Sequence, residues 1–313
     1  MSRGAKLGGM ADDAGAAERP NYLLHAGLFL ATCATTWLAG GIAFAATLMS
    51  ILTVHEMGHY IAARRHRVDA SLPFFIPLPP QISLGTLGAV IRMRKPIEDR
   101  NALADVGAAG PLAGLAVCIP LLIIGIWLSP VRDTAIEGNL QEGNSIAYLL
   151  LKLAITGRIL PAADGTDVDL HPMAFAAWVG LLVTMINLIP IGQLDGGHVA
   201  RAYLGNRHER VSRALHGVLV ALGVGLGAAL GLNALRLGHD WETASSQALA
   251  GGMPWLVWAL MITLMKRSTG GAYHPAVGER PISRGRRWLV LVTAVVFVLI
   301  FTPVPLRPAL GVP

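Results

Sequence analysis

The chain alternates long apolar runs with short polar interruptions, the apolar runs falling near residues 22–39, 42–63, 103–128, 172–190, 211–235, 251–265 and 288–306. Most approach the ~20 residues a helix needs to cross hydrocarbon. The first two are separated by little more than Gly40-Gly41, so the pattern predicts six or seven transmembrane helices. One stretch departs from it. Pro73, Pro77, Pro79 and Pro80 exclude a helix, and Ile82 to Ile91 has the β-branched, glycine-punctuated character of short strands. Residues 71–94 therefore read as a membrane-associated β-hairpin. The expected fold class is all-α and polytopic, with this hairpin between the second and third runs. Residues 1–20 are polar and Gly/Ala-rich and are expected to be disordered. Residues 21–306 are expected to form one transmembrane domain, followed by a short tail, 307–313.

Composition agrees. Hydrophobic residues make up 53% and charged residues 14%, with a mean hydropathy of +0.54, against about a quarter charged in soluble domains. The net charge of +6 comes with no aromatic-laced basic patch, so nucleic acid is not an expected partner. Topology explains the charge better. Arg3, Lys6 and Arg19 precede the first run; Arg64, Arg65, Arg67, Arg92, Arg94, Lys95 and Arg100 follow the second. Arg201, Arg207, Arg210 and Arg213 follow the fourth, and Lys266, Arg267, Arg280, Arg284, Arg286 and Arg287 the sixth. The intervening connection 129–171 carries Asp133, Glu137, Glu142, Asp164, Asp167 and Asp169 instead. By the positive-inside rule this alternation expects an internal N-terminus. The first run is read as a retained span, because a cleaved signal would have its apolar core close behind the basic residues. Cys33 and Cys118 have no paired spacing and are expected to be small buried residues.

The chemistry-bearing feature is His55-Glu56-Met57-Gly58-His59 at the end of the second run. Positions i and i+4 on a helix differ by about 40° around its axis, so both imidazoles reach one metal, while Glu56 can move the proton of a water. A carboxylate at membrane depth costs roughly 2.5–3.5 kcal/mol on insertion scales and needs a partner. The best third ligand lies in Asn187-Leu188-Ile189-Pro190-Ile191-Gly192-Gln193-Leu194-Asp195-Gly196-Gly197-His198, where Pro190 and Gly192 should break the helix and turn Asp195 inward. His198 is an alternative ligand or a group supporting one. His25, His171, His216 and His239 have no partner at metal spacing, and His66 and His208 lie among arginines, suggesting a solvated interface.

A transmembrane His-Glu-x-x-His followed by Asn-x-x-Pro and Leu-Asp-Gly resembles the site-2 protease family of intramembrane zinc metalloproteases. The resemblance covers roughly residues 40–215 and takes in Gly110-Pro111-Leu112-Ala113-Gly114, similar to a small-residue stretch of the family's third core segment. It implies one zinc ion per chain held by His55, His59 and Asp195, Glu56 as general base, and Asn187 as a polar group near the reacting carbonyl. It further implies membrane-spanning or membrane-anchored protein substrates and hydrolysis within or near their spans, with the hairpin pairing to an unwound substrate. The connection 129–171 is too short for a PDZ module and nothing after residue 266 resembles a CBS pair, so a minimal catalytic core is expected. A prokaryotic plasma membrane, with the site toward the cytoplasm, is the expected location. The alternatives are a polytopic zinc transporter, disfavoured by the lack of internal repeats, and a non-catalytic scaffold, disfavoured by an intact Glu56.

Overall fold

The structure is a computed structural model, and the residues it describes are 21–81, 83–133, 140–162 and 165–309. The expected disordered segment 1–20 and the last residues of the tail, 310–313, lie outside them.

All seven apolar runs are helical. The first two form α1, Tyr22–Arg65, which begins where the Asn21 side chain accepts a hydrogen bond from the Leu24 N–H at 3.1 Å. Gly41 interrupts it at φ 78°, ψ −178°, a conformation essentially confined to glycine. The interruption is a reversal. The next strand, β1 (Phe74–Pro77), lies against the N-terminal arm, with His25 Nδ1 2.9 Å from the Pro73 carbonyl and the Phe29 and Phe75 rings 5.1 Å apart. A straight helix would set Arg65 about 60 Å from His25, whereas the eight residue steps from Arg65 to Pro73 reach at most about 29 Å. The two arms therefore fold back at an acute angle, so the first two apolar runs are separate arms.

The expected hairpin is present. β1 pairs antiparallel with β2 (Thr86–Val90) in the register Phe74↔Val90, Phe75↔Ala89 and Pro77↔Thr86. It runs along the first arm of α1, where Thr35 Oγ1 donates to the Gly85 carbonyl at 2.6 Å. Next comes α2 (Arg100–Trp127), capped by Asp99 and carrying Pro111 and Pro120 within it. The connection beyond holds more structure than its composition predicts: β3 (Val131–Asp133), β4 (Leu140–Glu142), α3 (Ile146–Thr156) and β5 (Thr166–Val168). β3 pairs with β5.

α4 (Pro172–Asn187) starts with proline at its first turn and stops at Asn187, as Pro190 predicts. After the turn 188–194, where Gly192 takes φ 62°, the chain restarts as α5 (Asp195–Leu204). A 3-10 turn, Gly205–Arg207, leads into α6 (His208–Arg236), which packs against α7 (Trp241–Ser268). Added Cβ atoms at Gly223 and Gly227 would sit 3.1 and 3.0 Å from the Gly252 and Ala248 carbonyls. The four-residue glycine repeat thus serves close helix approach inside the chain. α8 (Arg284–Ile300) is followed by β6 (Leu306–Pro308), which pairs with β4 and brings part of the expected tail into the fold.

Among the described residues four helices are long and apolar enough to cross a membrane by length and composition: α1, α2, the run Asp195–Arg236, and α7. α4 and α8, at 16 and 17 residues, are shorter. The basic connections gather at one end. There Arg286 Nη2 donates to Asp105 Oδ2 at 2.7 Å, His66 Nε2 lies 2.7 Å from the same oxygen, and Arg100 donates to the Ala202 and Tyr203 carbonyls. The acidic connection, with Glu142, Asp167 and Asp169, lies at the other. The core between them is built on Phe44, Leu48, Ile51, Leu122, Trp178 and Met185, each 2% exposed or less.

Candidate metal centre

Three helices contribute to one buried cluster. His55 and His59 come from the second arm of α1 and Asp195 opens α5; the two histidines are 3% and 6% exposed. His55 Nε2 and His59 Nε2 are 3.1 Å apart, and Asp195 Oδ2 is 3.3 Å from the first and 3.2 Å from the second. α2 supplies the wall. Its Val106 carbonyl accepts from His59 Nδ1–H at 2.7 Å, which leaves the Nε2 lone pair for the cluster.

The small residues of α2 are what lets the cluster close. A Cβ at Gly110 would run into the His59 ring, one at Gly114 would lie 3.2 Å from His55 Nδ1, and one at Gly107 would lie 2.9 Å from the Asp195 carbonyl. Residues 107, 110 and 114 share one face of α2, so any side chain there would push the helices apart. The sequence carries a signal for Gly110 and Gly114 in the small-residue motif. For Val106 it carries none, since the contact is made by backbone.

The donor set fits zinc. Ligands about 2.0–2.1 Å from a tetrahedral ion lie about 3.3 Å from one another, close to the three separations seen. Two imidazole nitrogens and one carboxylate oxygen leave a fourth position, as in catalytic zinc sites. Among the described residues His55, His59 and Asp195 are the one group of three His, Cys, Asp or Glu side chains that could hold a metal ion.

Glu56 is 6% exposed and has no hydrogen bond or ion pair among the described residues. Asn187 is the last residue of α4, partly buried, and no hydrogen bond ties it to the cluster. His198 is not in the ligand group; its Nδ1 lies 2.8 Å from His274 Nε2. The solvated setting expected for His208 is not found. Its side chain is fully buried, 3.1 Å from Ser212 Oγ, because the start of α6 is turned inward against residues 273–274. Cys33 is partly buried and Cys118 fully buried; neither is in a disulfide.

A family model described as peptidase family M50 matches residues 43–230. The protein named "Probable zinc metalloprotease EGY1, chloroplastic" of Arabidopsis thaliana is 29% identical over 262 residues, covering 82% of this chain and 42% of that protein. "Probable zinc metalloprotease EGY2, chloroplastic" of the same plant is 34% identical over 204 residues, 63% of this chain and 33% of the relative. "Probable zinc metallopeptidase EGY3, chloroplastic", also from Arabidopsis thaliana, is 25% identical over 301 residues, 89% of this chain and 46% of the relative. The chain thus spans less than half the length of these relatives. No solved structure matches it.

Proposed function

Because the chain belongs to peptidase family M50, we propose that it is a membrane-embedded zinc metalloprotease that hydrolyses peptide bonds within or near the transmembrane segments of protein substrates. The observation that carries this reading is the convergence of His55, His59 and Asp195 on one point, with Glu56 on the same helix and without a hydrogen bond among the described residues. His59 and His55 stand five and nine residues before Arg64 on a continuous helix, so they lie about 8 and 14 Å below that basic end. Such a depth suits cleavage inside the membrane. The proposed domain is a single transmembrane unit, expected over residues 21–306 and extended by β6 to Pro308.

His55, His59 and Asp195 hold the zinc ion in this reading. When bound, zinc supplies Lewis-acid polarisation of the scissile carbonyl and acidifies water. The Glu56 carboxylate accepts a proton from the attacking water and returns it to the departing amide nitrogen. No covalent enzyme intermediate is needed. Asn187, whose side chain has no hydrogen bond among the described residues, is assigned as the side-chain donor toward the developing oxyanion. A substrate helix hides its peptide bonds in its own hydrogen bonds and must unwind to be cut. The two-stranded hairpin β1–β2 leaves an unpaired edge on each side to which such a segment could add as a strand.

The named relatives are chloroplastic and lend no support to a prokaryotic plasma membrane; the apolar spans support an integral membrane setting. The test is reconstitution of the purified chain in vesicles with single-span proteins of its own membrane. Cleavage within the span is expected, lost on treatment with a zinc chelator and recovered on adding zinc. Cleavage that survives chelation, or that maps only to soluble domains, would overturn the proposal.

A further inference from the structure

Helix α3 is inside out for a helix in water. Its charged residue, Lys152, is fully buried, with Nζ 3.0 Å from Asp167 Oδ1 and 3.7 Å from Glu142 Oε1 and lying 4.7 Å over the Tyr148 ring. Tyr148 donates its hydroxyl to Glu142 at 3.0 Å. Burial pushes the Glu142 carboxyl up, and the Lys152 charge opposes that rise. The outward face is apolar instead: Ile146, Leu150 and Leu153 are 49%, 56% and 39% exposed. These positions follow helical spacing, so they form one stripe. The surroundings say what covers it. Trp127 ends α2 and Trp241 begins α7, and both are about three-quarters exposed, as tryptophans at a membrane–water boundary are. β4, just before α3, is joined through β6 to α7, where Gln247 Nε2 donates to the Pro308 carbonyl at 2.7 Å. Lys152 also bonds to Asp167, which pairs in β5–β3 with Arg132, five residues after Trp127, so the stripe lies at the tryptophan-bearing end of the helices.

We infer that α3 lies in the plane of the membrane with the Ile146–Leu150–Leu153 face in lipid, its charges held against the protein. α3 then forms a lipid-facing collar in place of an aqueous loop. A photoreactive benzophenone amino acid at Leu150, in the otherwise unchanged chain reconstituted in phosphatidylcholine vesicles, is expected to capture lipid on illumination. Leu260, 58% exposed on α7, is the positive control. A lipid adduct at Leu260 with none at Leu150 overturns the inference.

A different set of contacts concerns the segment between α7 and α8, which lies outside residues 43–230. Tyr273 and His274 within it are 4% and 6% exposed. His274 Nδ1–H donates to the Pro275 carbonyl at 2.9 Å, so its Nε2 accepts from His198 Nδ1–H at 2.8 Å. The Tyr273 backbone N–H donates to Glu209 at 3.1 Å, and its carbonyl would lie 3.6 Å from a Cβ on Gly192. The segment thus touches the chain on both sides of Asp195, at Gly192 and at His198.

The geometry points to His274 as a positioning residue that holds α5, and with it Asp195, in place for zinc; this rests on the reading of Asp195 as a ligand. The test is zinc affinity, by competition with a chelating dye, for the wild type, His274→Leu and His274→Gln. His274→Leu is expected to weaken binding by up to about tenfold, the low end of the cost of losing a direct partner of a ligand, because His274 acts on Asp195 one step further away, through His198. His274→Gln should restore it, because its amide oxygen accepts from His198. Unchanged affinity in His274→Leu, or equal loss in both variants, overturns the inference. In either case a wild type that binds zinc and an Asp195→Ala variant that does not would leave the site itself standing.

Discussion

Glu56→Gln is expected to keep its fold and its zinc and to lose peptide hydrolysis by about 10²–10⁴-fold, the range a positioned acid–base group contributes. The substitution nearly preserves shape and removes only the ability to accept a proton. It also breaks no bond of the fold, because the Glu56 carboxylate has no hydrogen bond or ion pair among the described residues. A stability effect can therefore be separated from a catalytic one. The measurement is cleavage of a vesicle-embedded substrate alongside zinc content and thermal unfolding of the same preparation. Wild-type rates in a zinc-loaded Glu56→Gln protein would sink the mechanism, since Glu56 is the acid assigned to the proton transfer.

Asp195→Ala should lower zinc affinity by more than ~100-fold, beyond the 10–100-fold typical for partners that only orient ligands. Asp195 is the one ligand brought from another helix; its Oδ2 closes the triangle at 3.3 and 3.2 Å from the two histidine nitrogens. Without it two neutral imidazoles remain, and no described Asp, Glu, His or Cys completes a group of three. The purified wild type should carry about one zinc per chain and the variant far less. Unchanged affinity would mean that a different third ligand completes the site.

His55, Glu56 and His59 could be recognised from sequence because their relation is local: four residues on a helix fix which side chains share a face. The apolar runs were legible for a similar reason, and each became helix. The break between Asn187 and Asp195 followed from Pro190 and Gly192, which disrupt helical pairing wherever they stand. The hairpin followed from four prolines and the strand-like residues after them, although its first strand, Phe74–Pro77, lies within the proline-rich half.

Other features depend on what packs where. α3 looked like part of a polar loop because composition averages over residues, whereas the structure turns Lys152 inward and three apolar side chains outward. Its pairing partners, Glu142 and Asp167, were visible only as acidic residues of an external connection. His208 looked solvated beside arginines and is instead fully buried.

By itself the sequence determined the helices, the histidine–glutamate face and the class of metal chemistry, all of which rest on spacing and hydrophobic period within one segment. Only the tertiary structure decided that Asp195 meets His55 across 140 residues, that Val106 orients His59 through its carbonyl, and that His274 grips His198. The first two contacts are set by how closely α1, α2 and α5 approach. That approach is permitted by missing side chains at Gly107, Gly110 and Gly114, and a hydrophobic pattern records only the side chains that are present.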